Sequence, residues 1–162
     1  EKIAHPPHTM AERGILFSDA MVRAIRGGVK TQTRRLALDR SGKPSVWTKL
    51  KPGDRLWVRE VWAPEAGGGF LYRATGDQAV RWRSSIHMPK RATRSWLTVT
   101  DIRVEVVQAI SAGDAKAEGM AIHGRPGTPE PTLFEKQWNT LHGDGPSQTN
   151  PDVLVITFRA DR

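Results

Sequence analysis

The chain has no cysteine. That excludes disulfides and any thiolate-held metal, and it is compatible with a cytoplasmic protein. Histidine is sparse as well: two of the five lie within the first nine residues, and His87, His123 and His142 are far apart, with no metal-ligand spacing. We therefore expect no metal and no other cofactor. No apolar run is long enough to cross a bilayer, no secretory pattern opens the chain, and no basic amphipathic helix suits a membrane surface. P-loop, dinucleotide fingerprint, zinc motif and internal repeat are all missing. No obligate protein partner is evident.

The 162 residues fit one domain with a real core, 38% of them hydrophobic. Glu1 to Thr9 shows no periodicity and precedes Met10. Residues 1–9 are expected to be a vector-derived remnant or disordered tail, and 10–162 the domain. A net charge of +8 with a pI near 10.4 points to an anionic partner, most economically a nucleotide or nucleic acid.

Gly14–Phe17 reads as a first strand. Ser18 caps a helix from Asp19 to Arg26, with Ala20, Met21, Ala24 and Ile25 facing the core. Gly27-Gly28 stops that helix. A turn is expected next, Lys30 to Arg35, placing an amine and a hydroxyl (Lys30, Thr33) together among Arg34 and Arg35. Local chemistry allows a general base beside a nucleophile, or a solvated basic turn.

Pro52-Gly53-Asp54 turns the chain into a strand from Arg55 to Trp62. Its parity puts Glu60 in the apolar row of Leu56, Val58 and Trp62, so Glu60 either pairs with an arginine or lines a pocket. Phe70–Ala74 is a short strand. From Thr75 to Ser95 basic residues interleave with Trp82; this aromatic either stacks a base beside Arg83 or plugs the core. The strand Trp96–Val107 changes inward parity between Val99 and Ile102, which signals a bulge near Thr100-Asp101 and a small, strongly curved barrel.

Ser111 opens a helix from Ala112 to Gly119, with Glu118 on its last turn against the dipole preference. A Pro/Gly loop from His123 to Pro131 follows. A capping box at Thr132 starts another helix, with Phe134, Trp138 and Leu141 as its apolar stripe and Gly143 as its end. Val153–Phe158, apolar on both parities, reads as a central strand.

Together, Gly28-x-Lys30-x-x-Thr33-x-Arg35, Pro52-Gly53-Asp54 before a strand, Ile110-Ser111 with Asp114-Ala115-x-x-Glu118-Gly119-Met120, and the last strand resemble the ASCH domain, a relative of the PUA-like barrels. The resemblance spans Ile15 to Phe158. Leu56–Glu60, Tyr72-Arg73 and Ile86–Pro89 are similar to longer ASCH proteins of phages and prophages. It implies an α+β fold, a small curved barrel with flanking short helices.

Compact bacterial members are amidohydrolases that release the acetyl group of N4-acetylcytidine, and their catalytic lysine, threonine and glutamate fall on Lys30, Thr33 and Glu118. A cytosine nucleoside is then the expected substrate, contacted by Arg35, Glu60, Tyr72, Trp82, Arg83 and His87. Either Thr33 or water is the nucleophile. Other members are thought to bind RNA, with ribonuclease activity suggested for some; in that alternative Lys30, Arg34 and Arg35 hold phosphate and Trp82 or Tyr72 stacks a base. Extra length between Ala63 and Ser95 and between Ala121 and Thr132 sets this chain apart from the compact members.

Overall fold

The structure, a computed structural model, describes residues 9–120, 127–143 and 149–161. The expected N-terminal tail falls almost wholly outside this range, as does the start of the expected His123–Pro131 loop. The architecture is α+β. A five-stranded sheet runs in the order β1 (Glu12–Leu16), β3 (Arg55–Arg59), β6 (Trp96–Val106), β7 (Asp152–Ala160), β2 (Gln32–Leu36). Among the described residues, β1 and β3 pair parallel and the other neighbours in this sheet antiparallel. The hairpin of β4 (Trp62–Pro64) and β5 (Phe70–Tyr72) is a second, small sheet.

β7, expected to be central from its apolar character on both parities, is an interior strand one place from the edge: Val153 to Ile156 are all buried, between its partners β6 and β2. The parity change in β6 is a register shift between Val99 and Asp101 against β7. A bulge adds twist and bends the strand, which curls the sheet toward closure. The two edges meet where Arg35 on β2 donates Nη2–H to the Leu16 carbonyl at the end of β1, at 3.1 Å. Inside the curl lie Ile15, Leu56, Val58, Leu97, Val99 and Phe158.

α1 (Asp19–Arg26) closes one side with Met21, Val22, Ala24 and Ile25 buried. Met21, Val22 and Ile25 each contribute roughly 1.5–3 kcal/mol by leaving water. Ser18 Oγ accepts from the Met21 N–H at 3.4 Å, and such a cap is worth about 1 kcal/mol. Gly28, at φ +75°, lets the chain leave the helix.

Five expectations are corrected. The Lys30–Arg35 segment is not a turn beyond Thr31: Gln32–Leu36 pairs antiparallel with β7, whose backbone satisfies a strand too polar to show apolar alternation. The Arg55–Trp62 strand breaks at Glu60 and Val61, because the Glu60 carboxylate turns in toward Arg94. The third helix, α3, starts at Glu130 rather than Thr132, since Pro131 is tolerated in a first turn where no N–H is required. Leu141 is 70% exposed and leaves the stripe that buries Phe134 and Trp138. The helix opened by Ser111, α2, runs from Ala112 to Ala117, with Glu118 as its C-cap.

Candidate active site

Four segments meet at one cleft of about 730 Å³: the end of β1 with the start of α1, the link from α1 into β2, the end of α2, and one face of α3. Lys30 sits in the link. The N–H groups of Val29 and Lys30 both return to the Ala24 carbonyl, and the Thr31 N–H donates to Ala117 O at 2.8 Å. That second bond brings the end of α2 against the link. Because Lys30 precedes the regular strand, strand parity does not separate it from Thr33, and both line the cleft.

Glu118 reaches Lys30 across 88 positions of sequence, with Oε2 at 2.8 Å from Lys30 Nζ. Gly119 makes this approach possible. Its φ of +89° is strained for any side chain, and a Cβ there would lie 3.3 Å from Ala24 Cβ and 3.4 Å from Lys30 Cβ.

Lys30 is 3% exposed. Its ammonium donates to the Gln32 carbonyl at 2.8 Å, to the Glu118 carbonyl at 2.9 Å and to the Glu118 carboxylate, and it faces the Phe17 ring at 5.6 Å. Three acceptors use all three N–H groups, the arrangement of the charged form. Burial nevertheless pulls its pKa below the ordinary lysine value; Glu118 opposes that, and Arg35 and Arg34 reinforce it.

Thr33 Oγ1 accepts from Arg35 Nη1 at 2.8 Å. Among the described residues no acceptor takes its own hydrogen, which is left to donate. Arg35 stacks over Phe17 and Trp47, and burial draws its guanidinium below the usual range against the pull of Glu118.

Arg34, expected as a neighbouring cation or, in the RNA-binding alternative, a phosphate contact, has a fully buried side chain that gathers the carboxylates. It donates to Glu118 Oε1 at 3.1 Å, Asp114 Oδ2 at 3.2 Å, Gln32 Oε1 at 2.8 Å and Glu105. Burial pushes the Asp114 carboxyl up, but Arg103 and Arg34 outweigh this and hold it below the ordinary value. Glu118 is thus gripped at both oxygens, by Arg34 and by Lys30.

Arg35 is the one expected substrate contact that lines the cleft. Glu60 is completely buried and accepts from Arg94 Nη2 at 2.6 Å and Nε at 3.1 Å. Tyr72 donates its hydroxyl to the Ala92 carbonyl at 2.6 Å under the Arg94 guanidinium, and burial raises its pKa. It packs on a small second core of Trp62, Met88 and Ala92. Trp82 is half-buried in its loop; Arg83 covers the Trp62 ring at 5.2 Å; His87 is exposed on a 3-10 turn. Between Thr75 and Arg94 only Ser85 reaches the cleft.

Sequence reading also missed the α3 wall, formed by Phe134, Gln137, Trp138, Leu141 and His142. The helical spacing of Phe134 and Trp138 was visible, but an apolar stripe does not say whether it faces a core or a cleft. Among the described residues, no group of three or more His, Asp or Glu side chains could hold a metal ion, and no helix is long and apolar enough to cross a membrane.

An α+β fold with a curled five-stranded sheet and this cleft defines the class, and solved structures place it further. The chain is similar to the ASCH domain from Lactobacillus crispatus JV V101, with a TM-score of 0.54 and 11% identity over 93% of this chain and 79% of that one. It is also similar to the hypothetical protein PH0355, with a TM-score of 0.51 and 13% identity over 93% of this chain and 99% of that one. Neither a protein-family model nor a curated protein sequence matches the chain. The fold is of the ASCH type.

Proposed function

We propose that the protein is an amidohydrolase that removes the acyl group from N4-acetylcytidine or a related N4-acylated cytosine nucleoside. The observation that carries this reading is the meeting of Lys30, Glu118 and Thr33 in one cleft, with Lys30 and Glu118 at 2.8 Å and nearly excluded from water. The amide suits the site, since its nitrogen lone pair is partly drawn into the pyrimidine ring and its C–N bond breaks more readily than a peptide's.

In this scheme Lys30 first passes a proton to Glu118 Oε2, a step its burial favours. The neutral amine takes the Thr33 proton as Oγ1 attacks the acyl carbon. Arg35, already donating to Oγ1, stabilises charge developing on that oxygen. Lys30 then returns the proton to N4, the C–N bond breaks, and cytidine leaves an acyl ester on Thr33. Water then attacks the ester as Lys30 takes its proton; Lys30 returns that proton to Thr33 Oγ1 as the ester C–O bond breaks, and the freed carboxylic acid ionises to carboxylate.

The test is incubation of the full chain with N4-acetylcytidine and chromatography of the products. Cytidine and acetate should appear in equal amounts. Absence of cytidine at any protein concentration sinks the proposal. Thr33→Ala separates the two nucleophiles: substantial residual turnover makes water the attacking group and Thr33 a substrate contact.

A second reading, binding of single-stranded RNA, is favoured by one observation. Trp57 and Trp96 are register partners on β3 and β6, half-buried, with Arg59 at 5.2 Å from one ring and Arg55 at 4.2 Å from the other. Aromatic platforms beside cations suit stacked bases. Glu12 and Asp161 pair with Arg55 and offset part of that charge. This reading predicts oligonucleotide affinity that falls steeply with salt, whereas turnover of a free nucleoside depends little on salt.

A further inference from the structure

Arg34 belongs to a closed ring of charge that lies behind the cleft wall. Its Nη2 donates to Glu105 on β6 and to Asp114 Oδ2 on α2, the latter at 3.2 Å. Arg103 shares a face of β6 with Glu105, two residues on, and closes the ring. Its Nε donates to Glu105 Oε2 at 3.2 Å and its Nη2 to Asp114 Oδ2 at 2.7 Å. Lys30, Thr33, Arg34 and Glu118 line the cleft, whereas Arg103, Glu105 and Asp114 do not.

The ring gives Arg34 one orientation. Both Nη2 hydrogens are spent on it, and both Nη1 hydrogens go to Gln32 Oε1 at 2.8 Å and Glu118 Oε1 at 3.1 Å. A guanidinium is a rigid plane, so holding Nη2 fixes where Nη1 points. With Oε1 held by Arg34, Glu118 presents Oε2 to Lys30 Nζ at 2.8 Å.

Charge is coupled along the same contacts. Lys30, Arg34 and Arg103 carry three positive charges, and Glu105, Asp114 and Glu118 carry three negative ones, so the six balance. Side-chain exposure falls from 39% at Arg103 through 25% at Asp114 and 19% at Glu105 to none at Arg34. Water screens the outer members in part and the inner ones far less.

We propose that Arg103, Glu105 and Asp114 are positioning residues of the reaction: through Arg34 they orient Glu118 and set how readily Lys30 gives up its proton. This rests on the amidohydrolase reading above and adds to it three residues that never touch substrate. The sign follows from charge. Neutralising either carboxylate leaves the cluster one charge positive and favours loss of the Lys30 proton; neutralising Arg103 leaves it one charge negative and retains that proton. Other charged or titratable groups face the cleft: Arg35 from β2, Asp19 and Arg23 from α1, Arg73 from the 3-10 turn after β5, and His142 from α3. The substitutions leave all of these in place, so they do not enter the differences.

The experiment follows the Lys30 side chain by NMR in the full chain labelled with 13C-lysine, its signal being the one missing from Lys30→Arg. Wild type, Glu105→Gln, Asp114→Asn, Arg103→Gln and Arg103→Lys are titrated, and kcat and KM for N4-acetylcytidine are measured over the same pH range. Glu105→Gln and Asp114→Asn should move the Lys30 midpoint down by roughly half a unit, Arg103→Gln should move it up by about as much, and Arg103→Lys should restore it. The pH at which kcat rises should follow the midpoint, with KM within about twofold of wild type. Opposite signs mark charge coupling, since a packing defect has no reason to invert with the charge removed. Should a carboxylate variant fail to fold, Arg103→Gln with its lysine rescue decides, because Arg103 is the most exposed member. A midpoint unmoved in the folded variants, or moved the same way by Glu105→Gln and Arg103→Gln, overturns the proposal.

The titration is read independently of turnover, so the two readings fail separately. Opposite shifts in a chain that does not hydrolyse N4-acetylcytidine uphold the coupling and remove the amidohydrolase. Hydrolysis whose pH dependence the variants leave unmoved does the reverse.

Discussion

Glu60 offers a test of how the fold tolerates buried charge. Its carboxylate is wholly excluded from solvent and held by two N–H groups of Arg94, at 2.6 and 3.1 Å. Arg94→Met keeps most of the side-chain volume and removes both donors. Removing one partner of a buried pair leaves an uncompensated charge and costs about 3–5 kcal/mol. For a chain of this size each kcal/mol moves Tm by roughly 2–4 °C, so the variant should melt about 6–20 °C lower. Glu60→Gln added to Arg94→Met should recover most of the loss, because a neutral amide carries no charge to strand. Urea unfolding followed by circular dichroism at pH 7 measures all three proteins. An Arg94→Met variant within about 1 kcal/mol of wild type, or a double variant that recovers nothing, refutes the reasoning.

The remaining predictions concern the cleft. Lys30→Arg keeps the positive charge but cannot deprotonate near neutrality, so it should be almost as inactive on N4-acetylcytidine as Lys30→Ala; substantial turnover by the arginine variant moves the base to Glu118. Gly119→Ala forces a side chain into a left-handed backbone and against Ala24 and Lys30, and should cost roughly 1–3 kcal/mol in urea unfolding while weakening turnover through displacement of Glu118. Lys30 also leaves a mark on stability. Its folded pKa lies below 10.5, so between the two values the unfolded chain holds a proton that the folded chain has released, and stability rises with pH across that window. Comparing wild type with Lys30→Ala at pH 8 and pH 10 should show this rise in wild type alone; the opposite drift from Tyr72, whose pKa is raised above 10.0, is common to both and cancels.

Apolar patterning made part of the fold legible. The parity change in Trp96–Val106 marked the bulge, the double-sided apolar run of Val153–Phe158 marked a strand paired on both sides, and Ser18 with its core-facing alanines, Met21 and Ile25 marked α1. β2 carried no such mark. Gln32-Thr33-Arg34-Arg35 is polar throughout, and its burial depends on Glu105, Asp114 and Glu118, which lie 71, 80 and 84 positions from Arg34. Long-range charge pairing of that kind leaves no local period. The loop between Thr75 and Ser95 misled for a related reason. Arginine interleaved with aromatics reads the same whether the rings await a base or the arginines already cover them. Arg83 over Trp62 and Arg94 over Tyr72 show the second case. The contact between Lys30 and Glu118 came from motif resemblance alone, since nothing local to either residue points across 88 positions.

The two oxygens of Glu118 explain how one cleft can hold a lysine both as a stable donor and as a proposed base. Oε1 is taken by Arg34 and Oε2 by Lys30. Arg34 is in turn shared with Glu105 and Asp114, so its charge is not spent on Glu118 alone. Sharing spreads the Arg34 charge over three carboxylates instead of concentrating it on one. Burial and the two arginines press the proton off Lys30, Glu118 holds it, and 2.8 Å separates the donor from the acceptor. Thr33 supplies the remaining condition, because its oxygen already accepts from Arg35 and its hydrogen is the one left to give. On the proposed reading the cleft therefore does not require a lysine with a free lone pair at rest. It requires a short proton shift inside a buried pair, and the carboxylates that share Arg34 keep that shift within reach.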